Sequence, residues 1–238
     1  MKPITLAAIL AVSAASACDR PAKAPASNAS GETAAAELAA QPAPAAGLPA
    51  GAYKIDPTHT TVHFRVHHLG FSQYTGQFER VTGDLQLDPA NPSAAQLNVA
   101  IDAASLALPA PPPGFLAEMK GPQWLDAAKF AQITYRSTAI APTGPNTADI
   151  TGDLTLHGVT RPVVLKAKFN GGYVGHPMDP NARIGFSATG VLKRSDFGIS
   201  YGVPAPGTTM GVGDEVQVIV ETEFTGPPLP GAAPASAQ

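Results

Sequence analysis

The segment of residues 152–164, GDLTLHGVTRPVV, most constrains what this chain can fold into. Apolar and polar residues alternate through its first half, so that Leu154 faces away from Asp153, which is typical of a half-buried β-strand. Gly158 breaks the alternation and predicts a turn, because glycine takes positive φ angles without a steric penalty. Alternation resumes over residues 163–170, VVLKAKFN. The segment therefore predicts an antiparallel hairpin with one apolar face.

The same alternation recurs along the chain between turns rich in Gly, Pro, Asn and Asp. It predicts an all-β protein with about eight or nine short strands. Residues 109–128 break the pattern and predict one or two short helical turns. Such a chain buries its strand edges in a closed barrel or a sandwich, and an eight-stranded barrel is wide enough for one small ligand. Outside the hairpin, the predicted strands cover residues 53–56, 59–69, 83–87, 97–102, 133–138, 184–192 and 216–224.

The two ends of the chain do not predict a packed core. Residues 1–17 combine a positive start, a short apolar run and small residues, as a secretory signal peptide does, and they predict export to the periplasm. Residues 15–18, ASAC, also resemble a bacterial lipobox, in which Cys18 would carry a lipid anchor; an ordinary signal peptide is the alternative. Residues 18–51 and 226–238 are rich in Ala, Pro, Ser and Gly, and we predict a flexible tether and a disordered tail.

Composition argues against several classes of partner. Charged residues make up 14% of the chain and the formal net charge is −3, so we do not predict a nucleic-acid partner. Cys18 is the only cysteine, which leaves no internal disulfide and no cysteine-based metal site. Histidines cluster between residues 59 and 68, but His63 and His67 would lie about 13 Å apart along a strand, too far to share one ion. We therefore predict no metal and no cofactor.

Several motifs stand out along the predicted strands: YKID (53–56), HTTVHF (59–64), HHLG (67–70), GQF (76–78), WLDA (124–127) with Phe130, GDLTLHGVTRPV (152–163) and RSDFGI (194–199). Together they resemble the YceI-like family of exported bacterial proteins, and the match covers residues 53–224. The resemblance implies a lipocalin-like, eight-stranded antiparallel β-barrel over residues 52–225. It also implies that the barrel binds polyisoprenoids or related long apolar lipids, such as isoprenoid quinones and fatty-acid derivatives.

The residues predicted to face the barrel interior are the candidate ligand contacts. Apolar residues at every second position of the strands can line a cavity or fill the barrel as a core, and the sequence leaves both interpretations open. Trp124, the only tryptophan, is interpreted as a core residue that could also touch the ligand. The candidate ligand-binding residues are Val62, Phe64, Val66, Leu85, Leu87, Trp124, Tyr135, Leu154, Leu156, Leu165 and Phe186.

The sequence favours a binding protein over an enzyme. It lacks the H-E-x-x-H and phosphate-binding glycine motifs, and Ser137 and Ser187 are loose candidates for a nucleophile in the barrel. Arg194 and Asp196 are interpreted as a structural pair at a strand end. The alternative function is a structural or stress-response envelope protein with a filled barrel and no ligand. The oligomeric state is not predicted.

Overall fold

The computed structural model describes residues 47–229, so the predicted signal peptide, Cys18, most of the tether and the end of the tail lie outside the described residues. Within them one short helix, α1 (Phe115–Met119), and three 3-10 turns at Pro92–Ala94, Ala103–Ser105 and Arg194–Phe197 join the strands. None of the helices described is long and apolar enough to cross a membrane. The strands are β1 (Gly51–Ile55), β2 (Thr61–His68), β3 (Ser72–Phe78), β4 (Val81–Leu87), β5 (Gln96–Asp102), β6 (Leu106–Ala107), β7 (Gln132–Gly144), β8 (Thr147–Leu156), β9 (Val159–Tyr173), β10 (Asn181–Lys193) and β11 (Val212–Pro228).

Hydrogen bonds close eight of these strands into one antiparallel barrel. Their order is β1-β4-β5-β7-β8-β9-β10-β11, and the last part of β11 pairs back to β1, with Phe224 opposite Ile55. The first part of β11 pairs instead with β2, where Val220 lies opposite Val62. After short interruptions, β2 continues from β1, β3 lies next to β2, and β6 pairs with β3 toward one end of the barrel. The predicted all-β, eight-stranded antiparallel barrel with few helical turns is confirmed.

Several strands are longer than the alternation predicted. β3 lies outside the segments that we predicted as strands, because its Ser, Gln, Thr and Gly residues hide the alternation. β7 continues to Gly144, and β11 continues to Pro228, past the domain end predicted at residue 225. In each case a neighbouring strand supplies backbone hydrogen bonds, and this pairing outweighs the weak strand propensity of polar residues and prolines.

The hairpin of β8 and β9 turns at His157 and Gly158. Both residues have positive φ angles, 52° and 76°, as a two-residue type I′ turn requires. The His157 ring lies edge-on to Phe130, with 4.8 Å between ring centroids, and its Nδ1 is 3.2 Å from the carbonyl oxygen of Phe197. A Cβ atom at residue 158 would overlap the Phe130 ring. Glycine is therefore favoured here by both the backbone conformation and the lack of space.

Arg194 is buried where β10 ends, and it organises the loop that leads to β11. Its guanidinium carbon lies 5.2 Å from the centroid of the Trp124 ring, a cation–π distance. The predicted pair with Asp196 is wrong, because the guanidinium binds backbone oxygens instead. The four carbonyl oxygens that accept its hydrogen bonds, at 2.7–2.9 Å, belong to Ile199, Tyr201, Val212 and Gly213. These dipoles compensate the buried charge and fix the loop against the barrel.

Replacing Gly158 with alanine should lower the free energy of unfolding by about 2–4 kcal/mol, since a positive φ angle disfavours an L-residue and the new Cβ displaces the Phe130 ring. Gly202→Ala is the matched control, because Gly202 also has a positive φ, 68°, but a Cβ there meets nothing within 4 Å. We expect that control to lose only about 1 kcal/mol. Chemical denaturation measures both, and equal losses would contradict a role for the Phe130 contact.

Candidate functional site

The barrel encloses an apolar cavity of about 750 Å³. Inward-facing side chains of the barrel strands form its wall, as the period-two alternation requires. Among the described residues that line it, Asp88 is the only charged one, and its carboxylate accepts a hydrogen bond from the backbone N–H of Ala90 at 2.9 Å. The volume and the apolar lining are those of a ligand pocket.

The two ends of the barrel differ. At one end, which we call the mouth, the cavity is lined by Gly47, Leu48 and Ala50, by the loop between β4 and β5, and by the turn between β7 and β8. At the other end the interior is filled by Ala103, Ala127 and Ile133, against which Leu156 and Phe78 pack. The cavity is therefore a blind tunnel whose accessible end is the mouth.

Tyr135 shows how a polar group is accommodated in this wall. Its hydroxyl lies 2.8 Å from the carbonyl oxygen of Ile150 and 3.2 Å from that of Val163, and its ring lines the cavity. Burial raises the pKa of the Tyr135 phenol well above its ordinary value, so the hydroxyl stays protonated. A Cβ at Gly152 would overlap this phenol, which explains the glycine in the middle of β8. The hydroxyl is thus hydrogen-bonded within the wall, and the apolar surface of the ring faces the cavity.

The structure separates the predicted ligand contacts by their depth in the barrel. Phe64 packs on Phe78 with 6.0 Å between ring centroids, Leu156 belongs to the filled end, and Trp124 lies beneath Arg194. Val66 is also buried outside the cavity lining. The predicted residues that do line the cavity are Val62, Leu85, Leu87, Tyr135, Leu154, Leu165 and Phe186.

Sequence reasoning missed the part of the wall that comes from loops and from the tether. Gly47, Leu48 and Ala50 line the mouth, although we assigned them to the tether by composition. Leu48 packs against the buried cluster around Tyr53, whose hydroxyl donates a hydrogen bond to the Pro49 carbonyl at 2.6 Å. The one available signal was Leu48, an apolar residue close to the first strand. Ile140 and Ala148 were missed because they lie on the parts of β7 and β8 that the alternation did not predict.

A family profile for the YceI-like domain matches residues 53–224, which include the barrel from Tyr53 to Phe224. The chain belongs to the YceI-like family. Relatives agree with this assignment. A UPF0312 protein of Pseudomonas syringae pv. syringae (strain B728a) is 40% identical over 153 residues, which cover 63% of this chain and 74% of the relative. UPF0312 protein PputW619_0484 of Pseudomonas putida (strain W619) is 41% identical over 165 residues, which cover 67% of this chain and 80% of the relative.

Solved structures share the YceI-like barrel. BcnA of Burkholderia cenocepacia superposes with a TM-score of 0.59 at 25% identity, over 71% of this chain and 98% of that protein. A polyisoprenoid binding domain from Saccharophagus degradans, implicated in plant cell wall breakdown, superposes with a TM-score of 0.54 over 74% of this chain and 98% of that domain. At 14% identity, this second likeness shows the fold alone. The family resemblance derived from the motifs is thus confirmed.

The two serines named as loose nucleophile candidates have structural contacts in this YceI-like barrel. The Ser137 hydroxyl accepts a hydrogen bond from the Leu97 N–H at 2.8 Å. The Ser187 hydroxyl donates to Glu221 and accepts from the Asn170 amide at 2.8 Å. Neither serine is among the described residues that line the cavity.

A cluster of charged side chains links the end of β1 to β10 and β11 in the YceI-like barrel. The Asp56 carboxylate accepts a hydrogen bond from Arg183 at 2.6 Å and lies 3.0 Å from His59 Nδ1, and Arg183 also donates to Asp179 at 2.7 Å. Asp56, His59 and Glu223 have ligand atoms within 4.8 Å of one another, but Arg183 already occupies the Asp56 oxygen that faces them. We interpret the cluster as structural.

The pKa of Asp56 reflects this setting. Burial raises the pKa, but hydrogen bonds from Thr58, His59 and Arg183 outweigh burial and hold the pKa of the carboxyl well below its ordinary value. A carboxyl with a lowered pKa in the folded state stabilises the protein above its ordinary pKa, and this contribution is lost as the pH falls toward the folded-state pKa.

Asp56→Asn should therefore lower the free energy of unfolding by about 1.5–3 kcal/mol at neutral pH, because Arg183 loses a charged acceptor. The difference from wild type should shrink as the pH falls below about 4. Asp84→Asn is the control: its carboxylate is exposed and 3.8 Å from Lys54, so we expect a change below about 0.5 kcal/mol. Urea denaturation across pH measures both, and a difference that stays constant with pH would refute the ion-pair explanation.

Proposed function

We propose that this protein binds one long apolar lipid inside its barrel, without chemical change to the lipid, as a carrier or store in the cell envelope. The observation that carries the proposal is the blind apolar cavity of about 750 Å³ with an accessible mouth. Burial of a hydrocarbon chain in such a cavity contributes about 25 cal/mol per Å² removed from water, with no polar partner needed along the chain. A polyisoprenoid, an isoprenoid quinone and a fatty-acid derivative all meet this requirement.

Two features support binding without catalysis. The hydroxyl of Tyr135 faces backbone carbonyls, and those of Ser137 and Ser187 are engaged in the wall, so none is presented to a lipid as a nucleophile. The name of the solved Saccharophagus degradans domain, a polyisoprenoid binding domain, also supports the ligand class. The alternative, a structural envelope protein with a filled barrel, fits less well because side chains fill only the end of the barrel around Ile133.

Native mass spectrometry of the full-length protein, with organic extraction of what co-purifies, tests the proposal. A bound mass that differs in steps of isoprene units, a quinone or a fatty-acid derivative would support it and identify the ligand class. A protein that stays free of ligand after incubation with isoprenoids and fatty acids would contradict it and favour the structural role.

Leu87→Arg should lower the affinity for apolar lipids by at least about tenfold, because it places a charge in the cavity near the mouth. Gln86→Arg is the matched control, since the neighbouring side chain faces outward and is exposed. Ala148→Phe narrows the mouth without a charge and should also weaken binding. Displacement of a neutral fluorescent apolar probe measures affinity, and circular dichroism checks the fold. Equal effects of the two arginine variants would refute the assignment of the inner face.

We further propose that the protein is exported and tied to a membrane through a lipidated Cys18. Gly47, where the described chain begins, lines the mouth of the cavity. This geometry supports loading of the cavity with lipid from the membrane that holds the anchor.

Cys18→Ser should move the protein from the membrane fraction to the soluble fraction, because the substituted residue cannot carry the lipid. Fractionation of cells that produce the wild type or the variant, followed by immunoblotting, measures this. The same distribution for both proteins would contradict anchoring at Cys18 and favour an ordinary signal peptide.

A further inference from the structure

The barrel wall is incomplete between β5 and β7, near the mouth. Pairing of these strands runs from Asp102 opposite Gln132 to Asn98 opposite Arg136 and ends there within the described residues. β7 continues to Gly144 on β8 alone, and its register shifts after Ser137. The Ser137 hydroxyl accepts the hydrogen bond of the Leu97 N–H at 2.8 Å, so a side chain takes the place of a strand carbonyl. The two strands therefore part where the wall would otherwise continue.

A second pocket, of about 470 Å³, lies at this parting and is lined by residues 93–98 and 136–140. In contrast to the barrel cavity, it presents mostly polar side chains, among them Gln96, Asn98 and Thr138. Three residues line both spaces, so the polar pocket adjoins the apolar cavity; they are Ala95, Leu97 and Ile140. An apolar space beside a polar one matches the two parts of an amphiphilic lipid.

Arg136 is the only charged residue among the described residues that line this pocket. Its Nε donates a hydrogen bond to the Asn98 side-chain oxygen at 3.0 Å, which orients the guanidinium and uses one of its five N–H donors. Asp153 lies across from Arg136 on β8, yet no salt bridge within 4 Å joins Arg136 to a carboxylate in the described part of the chain. Asp84, across from Asn98 on β4, pairs with Lys54 at 3.8 Å.

We propose that this pocket binds the polar head group of the lipid whose chain occupies the barrel cavity, and that the head group carries acceptor oxygens that Arg136 contacts. The proposal rests on the proposed lipid-binding function and places the head group in the polar pocket between β5 and β7. A phosphate fits best, because guanidinium groups bind phosphate oxygens through paired, charge-assisted hydrogen bonds. Quinone carbonyls share the acceptor chemistry but lack the charge.

The test compares geranylgeranyl monophosphate, geranylgeraniol and a quinone with an isoprenoid tail of the same length, on full-length protein, by displacement of a neutral fluorescent apolar probe. Wild type should prefer the phosphate over the alcohol by about fivefold, and the preference should fall as salt rises. Arg136→Gln should bind both ligands alike. Arg65→Gln removes an exposed arginine on the outer face of β2 and should keep the wild-type preference.

The outcomes separate this inference from the proposed function. A preference for the quinone over the alcohol that also depends on Arg136 would support the acceptor chemistry and identify the carbonyl as its source. Equal wild-type binding of all three ligands, or a preference that survives in Arg136→Gln, would overturn the head-group site and leave the lipid-binding function intact. Failure of every ligand to displace the probe would overturn both.

Discussion

The structure depends on the pairing of β11, the strand that closes the sheet. β11 spans 17 residues, pairs with β10 on one edge, and pairs on its other edge first with β2 and then with β1. Because this pairing closes the ring, each strand acquires an inner and an outer face, and the two-residue period assigns every side chain to one of them. Val218 and Val220 consequently line the cavity, while Gln217 and Glu221 are exposed.

Closure alone does not leave a cavity, since an eight-stranded barrel can be filled by its own side chains. In this chain the filling is confined to one end. Phe197 and Ile133 are buried there, and Arg194 fixes the adjoining loop through four carbonyl oxygens while it lies against Trp124. At the mouth the lining includes several small residues and prolines, among them Ala50, Pro89 and Ala90, which leave the space open. The cavity therefore results from how large and small residues are distributed along the barrel axis.

That distribution marks the limit of what the sequence could predict. Alternation identified the inner faces, and Leu154 and Leu165 do line the cavity. Alternation carries no information on depth along the axis, so Phe64 and Leu156 were grouped with them although both pack outside the lining. The polar pocket around Arg136 was not predictable either, because it depends on where β5 and β7 part, and this follows from a register shift and a side-chain hydrogen bond of Ser137.

Under the proposed function, the parting of β5 and β7 gives an apolar barrel a place for the polar part of an amphiphile. A fully paired wall offers a ligand only side chains of the inner face, because its backbone groups are already hydrogen-bonded. Here the described lining includes no cation, and Asp88 at the mouth would repel an anionic head group. A set of polar donors lies outside the lining, around Arg136, and adjoins the cavity where the pairing of β5 and β7 ends. The same gap that weakens the sheet thus places polar contacts beside the apolar interior.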